Sequence, residues 1–134
     1  MAKVILDTNI YISSFLFGGN ARTVFDYCFL YQEVIISDFI IDEIKKTLTG
    51  KFKLNSTQQD SLVGLLLTQA KKIEPLGEKP DICRDSDDNN ILWLAQYSQA
   101  EFLITGDKNL LIITEFTKTK IIHPKDYLTE INPY

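Results

Sequence analysis

Short apolar runs alternate with longer stretches of helical periodicity along the whole chain. The runs lie within Lys3 to Asp7, Glu33 to Ser37, Glu101 to Thr105 and Lys120 to His123, and Lys72 to Leu76 reads as a further short strand. Short β-branched runs bounded by polar residues predict buried strands. Between them, apolar positions recur every three to four residues. This spacing predicts helices from Asn9 to about Phe15, Ala21 to about Tyr31, Asp38 to about Thr49, Ser56 through Lys71, Asp88 to about Gln99, and Asn109 to Phe116. Gly18-Gly19-Asn20 separates the first two, with Asn20 as a cap. Ser37 or Asp38 opens the third, and Gly50 ends it. Ser56 with Gln59 suggests a capping box, and Asp126 a terminal turn. Leu62, Leu65, Leu66 and Gln69 share a helical spacing, and Ile91, Leu92, Leu94 and Ala95 are expected to face a core.

Strands alternating with helices imply βαβ units, hence an α/β fold with a parallel sheet covered on both faces. The 134 residues contain no repeat, low-complexity tract or linker, so residues 1–134 are read as a single domain. In open sheets of this kind, ligands bind beyond the carboxyl ends of the strands, near the point where strand order reverses.

That rule draws attention to the acids. Asp7 closes the first strand, Asp107 follows the strand ending at Thr105, and Asp88 opens a helix. Glu43 lies between Ile40 and Ile44, bordering the buried face of its helix, whereas Asp42 is turned about 100° away toward solvent. Singly, each acid is equally a helix cap, a turn residue or a surface charge. Together, they are carried toward one sheet edge by three connections and a neighbouring helix. Two carboxylates at about 4 Å oppose each other by roughly 4 kcal/mol at an effective dielectric near 20. A divalent cation sustains such a cluster, which points to metal-dependent chemistry on phosphate esters. Oxygen ligands suit Mg²⁺ or Mn²⁺, and the lack of Cys/His ligand spacing argues against zinc.

Other chemistries find little support. His123, the sole histidine, stands beside Pro124 and reads as structural. Neither a Gly-rich phosphate loop nor a nucleophilic serine elbow is present. Cys28 falls on an apolar helical face, while Cys83 precedes the acidic segment and is expected to be more exposed.

Composition, 45% hydrophobic and 24% charged, is that of a soluble globular protein. No apolar run approaches a membrane span, and Met-Ala-Lys with its short strand lacks a signal peptide's apolar region. The expectation is a cytoplasmic protein without a membrane partner. The net charge of −4 is unusual for a nucleic-acid binder, whose affinity rests on phosphate contacts. Lys45, Lys46, Lys51 and Lys53 form a local basic group that serves either phosphate contacts or, as a solvated helix end, the negative end of a helix dipole.

These residues resemble the PIN-domain family. The resemblance covers essentially the whole chain. It is carried by Val4-Ile5-Leu6-Asp7-Thr8-Asn9, by Glu43, by Asp85-Ser86-Asp87-Asp88-Asn89 before Ile91-Leu92-Trp93-Leu94-Ala95, and by Leu103-Ile104-Thr105-Gly106-Asp107-Lys108-Asn109-Leu110-Leu111. Together they are similar to the VapC-like toxin components of prokaryotic toxin–antitoxin systems. The resemblance implies a Rossmann-like three-layer α/β/α fold and a Mg²⁺- or Mn²⁺-dependent endoribonuclease acting through metal-activated water. It carries the catalytic and metal-binding site to Asp7, Glu43, Asp88 and Asp107. Asn9 and Thr105 match supporting positions, and Asp85 is an auxiliary acid. Asp88 is preferred to Asp87 because it stands seven residues before Ala95. A homodimer and a cognate antitoxin are implied partners alongside RNA. Phe15, Phe17, Tyr27 and Tyr31 are candidates for a dimer face, with core packing as the competing reading.

Two alternatives stay open at this stage. One is a PIN-like module that binds RNA or protein without cutting. The other is a phosphohydrolase with Asp7 as nucleophile, although residue 9 is Asn where that chemistry calls for a second acid.

Overall fold

A computed structural model describes residues 1–131. Its elements run β1 (Lys3–Leu6), α1 (Thr8–Leu16), α2 (Gly19–Tyr31), β2 (Glu33–Ile36), α3 (Asp38–Gly50), α4 (Ser56–Gln69), β3 (Lys71–Lys72), α5 (Ser86–Ser98), β4 (Phe102–Ile104), α6 (Lys108–Leu111), β5 (Glu115–Phe116), β6 (Thr119–Ile122) and α7 (Pro124–Ile131). The six strands form one sheet in the order β3-β2-β1-β4-β6-β5. All neighbouring pairs are parallel except β5 with β6. This is a mixed α/β fold, with helices flanking a mostly parallel sheet, as the sequence pattern predicts.

The central strands are apolar because both their faces are covered. Val4, Ile5, Leu6, Ile35, Ile36, Leu103 and Ile104 are buried almost completely. Each such Val, Leu or Ile contributes about 1.5–3 kcal/mol over an exposed counterpart. Helix α3 buries Ile40, Ile41, Ile44 and Leu48, and α5 buries Ile91, Leu92, Leu94 and Ala95, in the same core. The chain passes from β1 to β2 on one side, whereas β4 pairs with the other side of β1. Strand order therefore reverses between β1 and β4, and the crevice at their carboxyl ends is the expected ligand edge.

Several local readings are corrected. Helix α1 begins at Thr8 because Asp7 caps it, and Gly18 rather than Asn20 precedes α2. Gly18 and Gly19 take φ of 78° and 65°, left-handed values that glycine adopts without steric cost. The capping box of α4 joins Asn55 to Gln58, not Ser56 to Gln59. Gln59 is instead buried, and its amide nitrogen donates to Thr49 and to the Leu54 carbonyl. The buried positions of α4 are Gln59, Val63 and Leu66, while Leu65 is largely exposed. Helix α5 opens at Ser86 with Asp85 as its cap, so Asp88 lies inside the first turn. The third strand shortens to Lys71–Lys72 at the sheet edge. The expected helix from Asn109 to Phe116 stops at Leu111, and Glu115–Phe116 forms a hairpin strand with β6. Pro124–Ile131 is a full helix rather than a turn, and His123 Nδ1 accepts from Lys125 N at its start.

Phe15 and Tyr27 pack against the core, but Phe17 and Tyr31 remain largely exposed. Cys28 is buried, Cys83 is partly exposed, and both are free thiols. Among the described residues, no helix is long and apolar enough to cross a membrane.

Candidate active site

Three of the acids at the crevice are N-caps. Asp7, Asp85 and Asp107 each hold an extended backbone at a helix start and accept a backbone N–H through one carboxylate oxygen: Thr8 N at 2.8 Å, Asp87 N at 2.9 Å and Asn109 N at 2.9 Å, respectively. Capping and site-building are thus one geometry. The bond to a helix's free N–H fixes the rotamer of each carboxylate at the sheet edge.

Thr105 ties the first and last of these together. Its Oγ1 donates to Asp7 Oδ2 at 2.7 Å and accepts from Asp107 N at 3.0 Å. Thr105 is fully buried, and Asp7 N also donates to the Ile104 carbonyl at 3.0 Å. Burial raises the proton affinity of Asp7; the bonds from Thr105 and Thr8 lower it, and the charge of Asp107 raises it.

Adjacent acids of α5 divide between two neighbours. Asp88 is pushed up to about 7 by burial first, then by the charge of Asp107 and a hydrogen bond with it, and further by Asp85 and Asp7. Glu43 is also pushed up to about 7, by burial first, then by Asp87, Asp7 and Asp85. Thr8 Oγ1 donates to Glu43 Oε2 at 3.4 Å. Successive helix residues diverge by about 100°, so Asp88 acts on Asp107 while Asp87 acts on Glu43. The structure therefore brings Asp7, Glu43, Asp85, Asp88 and Asp107 into one electrostatic neighbourhood and adds Asp87 and Thr8 to it.

Asn89 anchors the approach to this edge. It is buried; its Oδ1 accepts from Ile82 N at 3.1 Å and Cys83 N at 2.8 Å, and its Nδ2 donates to the Cys83 carbonyl at 2.9 Å. The segment leading to Asp85 is thereby pinned to α5. Sequence reasoning singled out neither Asn89 nor Thr8 as a positioning residue. An Asn inside an acidic capping segment, one turn before an apolar face, was the available signal. Beside it opens a cleft of about 380 Å³ lined by Ile82, Cys83, Arg84, Asp85, Asp88, Asn109, Ile112 and Ile113. Burial raises the Cys83 thiol, followed by Asp88, Asp107 and Asp85.

A family model described as PIN domain matches residues 3–109. The chain belongs to the PIN domain family. A relative, the uncharacterised protein MJ1680 of Methanocaldococcus jannaschii, is 28% identical over 147 residues, covering 98% of this chain and 93% of that protein. VapBC2 from Rickettsia felis, solved bound to a DNA fragment from their promoter, superposes with a TM-score of 0.64. That likeness covers 90% of this chain and 98% of the other at 15% identity, and it concerns the fold.

Membership in the PIN family supports a nuclease. The acids of this PIN domain offer carboxylate oxygens and no histidine, a donor set that fits Mg²⁺ or Mn²⁺. As the side chains stand, no three Asp, Glu, His or Cys groups among the described residues are close enough to share one ion. Asn9 lies exposed in the first turn of α1, and among the described residues its side chain makes no hydrogen bond to an acid. Lys45 and Lys46, with Asp42, Thr49 and Gly50, line a shallow groove along α3. Lys51 stands 5.9 Å from the Phe52 ring, and Lys53 takes a left-handed φ of 56°. None of these lysines enters an ion pair among the described residues.

Proposed function

We propose that this PIN domain, residues 1–134, is a Mg²⁺- or Mn²⁺-dependent endoribonuclease that hydrolyses RNA phosphodiesters in the cytoplasm. The observation that carries this reading is the approach of Asp7, Glu43, Asp88 and Asp107, from four separate segments, to one sheet edge, where burial and neighbouring charge raise the proton affinities of Asp7, Glu43 and Asp88. Perturbed carboxylates gathered in a crevice are what an acid/base or metal site requires. Asp7 and Asp107 would hold the principal ion, with Asp88 assisting directly or through water. Glu43 would orient a water or help hold a second ion. A bound divalent ion supplies a lowered water pKa and offsets charge developing on phosphate.

The chain's own residues do the rest. Thr105 fixes one Asp7 oxygen and the backbone of Asp107, which sets their separation. Glu43, with its affinity near 7, can take a proton from an attacking water at neutral pH. Lys45, Lys46, Lys51 and Lys53 would meet RNA phosphates along and beyond α3. Asp7 already accepts hydrogen bonds on both oxygens and has Asn9 two residues on, which favours water as nucleophile over the carboxylate.

The decisive test is cleavage of a pool of structured RNAs by the purified chain with Mn²⁺, beside Asp7→Asn and Asp107→Asn. The wild type should cut and the variants should not. Equal behaviour of all three across the pool overturns the nuclease assignment.

The likeness to VapBC2 supports a further reading, the toxin of a toxin–antitoxin pair, held inactive by a small partner protein. The exposed Phe17 and Tyr31 supply apolar surface for a homodimer. Co-expression with the product of a small adjacent reading frame should yield a stable, inactive complex. Failure of such a protein to bind or inhibit removes the toxin reading while leaving the nuclease one.

A further inference from the structure

The cleft beside the acids has features that phosphodiester hydrolysis alone does not require. Its volume, about 380 Å³, is that of a small-ligand site. Ile82 and Ile112 line it and are 55% and 77% exposed, although both are large aliphatic side chains. Solvent-facing apolar groups beside a polar site mark a binding surface. Arg84 and Asn109 add a cation and an amide to the polar lining, beside the carboxylates of Asp85 and Asp88. The chain's other arginine, Arg22, pairs with Asp26 at 3.0 Å, whereas Arg84 makes no ion pair among the described residues.

Both walls are held in place. Asn89 locks residues 82 and 83 through three hydrogen bonds, and Asp107 caps the turn that carries Asn109. The cleft also shares Asp85 and Asp88 with the acidic edge, so a ligand in it lies next to the reacting centre. A purely apolar ligand would leave Arg84 and Asn109 unused. An unpaired nucleotide uses all of them. Its base presents flat apolar faces and a donor–acceptor edge, and its phosphate is an anion.

We propose that this cleft binds one unpaired nucleotide flanking the scissile phosphodiester and so determines which base stands beside the cut. Ile82 and Ile112 border the base, the Asn109 amide hydrogen-bonds its edge, and Arg84 meets its phosphate. The assignment rests on the nuclease reading for its function, but the binding itself is separable from cleavage.

The test uses the full chain in two arms. In the first, wild type and the variants Arg84→Ala, Asn109→Ala and Ile112→Ala cut an RNA pool randomised in sequence, and the bases flanking each cut are read. All three side chains are exposed, so their removal leaves the fold intact. Asn109→Ala and Ile112→Ala should relax a base preference at one flanking position by on the order of tenfold. Arg84→Ala should raise KM without altering that preference. In the second arm, the Asp7→Asn chain is titrated with short single-stranded RNAs while its backbone amide resonances are followed. The amides of Arg84, Asn109 and Ile112 should shift. An unchanged base preference in the Asn109 and Ile112 variants, or unshifted amides in the second arm, overturns the cleft assignment even if the wild type cuts RNA. Shifted amides with no cutting by the wild type support the cleft and overturn the nuclease reading instead.

Discussion

Thr105 holds Asp7 by a hydrogen bond of 2.7 Å from Oγ1 to Oδ2, across a sequence separation of 98 residues. The same oxygen accepts from Asp107 N, so one hydroxyl spans the two acids that close β1 and follow β4. The parallel pairing of these strands, Leu6 with Ile104, brings them into register for it.

Thr105→Val keeps the shape and removes the bridge. It leaves the Asp107 N–H and one Asp7 oxygen without their partner in a buried setting. We expect a loss of about 1–3 kcal/mol in denaturant-measured stability. RNA cleavage should fall by about 10–100-fold. Thr105→Ser, which retains the hydroxyl, should restore most of both; equal loss in Ser and Val would show that the methyl, not the bridge, matters.

Asp7→Asn separates folding from function. Asn caps a helix as well as Asp does, and the change removes a charge opposed by Asp107. Thermal stability without metal should change little, since relief of that charge is set against the acceptor oxygen that Thr105 loses. Cleavage should fall by about 100-fold or more, the scale of deleting an electrostatic group at a reacting centre.

Glu43 and Asp42 are neighbours with opposite expectations. Glu43 is half-buried and accepts from Thr8, whereas Asp42 is exposed. Glu43→Gln should abolish most cleavage, and Asp42→Asn should leave it within about twofold, as expected of a surface site. Single-turnover rates on one RNA decide the comparison.

Stability should depend on pH in a direction set by these acids. Glu43 and Asp88, ordinarily near 4.5 and 3.8, bind protons up to about 7 in the fold, and Asp7 is also raised. The folded chain thus holds more protons than the unfolded one between those values. Their unfavourable contribution is absent below about pH 4, grows as pH rises, and is complete above about pH 7. The melting temperature of metal-free protein should therefore carry a falling contribution from about pH 4 to about pH 7. Mn²⁺ should raise it more at the upper pH, where the carboxylates are ionised. A metal-induced increase that is equal at both ends counts against a carboxylate site.

Asn89→Ala should cost about 2–3 kcal/mol, since it strands two backbone N–H groups and a carbonyl that the amide satisfies. Hydrogen exchange at Ile82 and Cys83 should accelerate while that of the β1 amides changes only by the global loss. Uniform acceleration would mean that Asn89 supports the whole fold rather than this segment.

Much of the architecture is legible in the sequence because periodicity reports burial. Val4-Ile5-Leu6 and Leu103-Ile104 are continuously apolar because both faces of a central parallel strand are covered, and Ile40, Ile41, Ile44 and Leu48 mark the buried face of α3. Elements with little burial leave no such trace. Glu115–Phe116 is too short to show alternation, and its turn through Thr117 and Lys118 lacks the usual Gly or Asn, so it reads as the end of a helix. Likewise, Asn55 and Ser56 are both acceptable caps, and only the hydrogen bonds select Asn55.

The acids divide the same way. Their residue types and their places at strand ends and helix starts are written in the chain, as is the carboxylate character that favours a hard divalent cation. Tertiary structure alone decides which of them meet. Asp7 finds Thr105 and Asp107 because β1 and β4 pair side by side, although the residues between those strands include five helices and two strands. Asp87 and Asp88 part company because a helix turns neighbouring side chains about 100° away from each other. Sequence fixes local conformation and burial, which act over a few residues; charge and hydrogen bonding act through space, and only the folded sheet sets those distances.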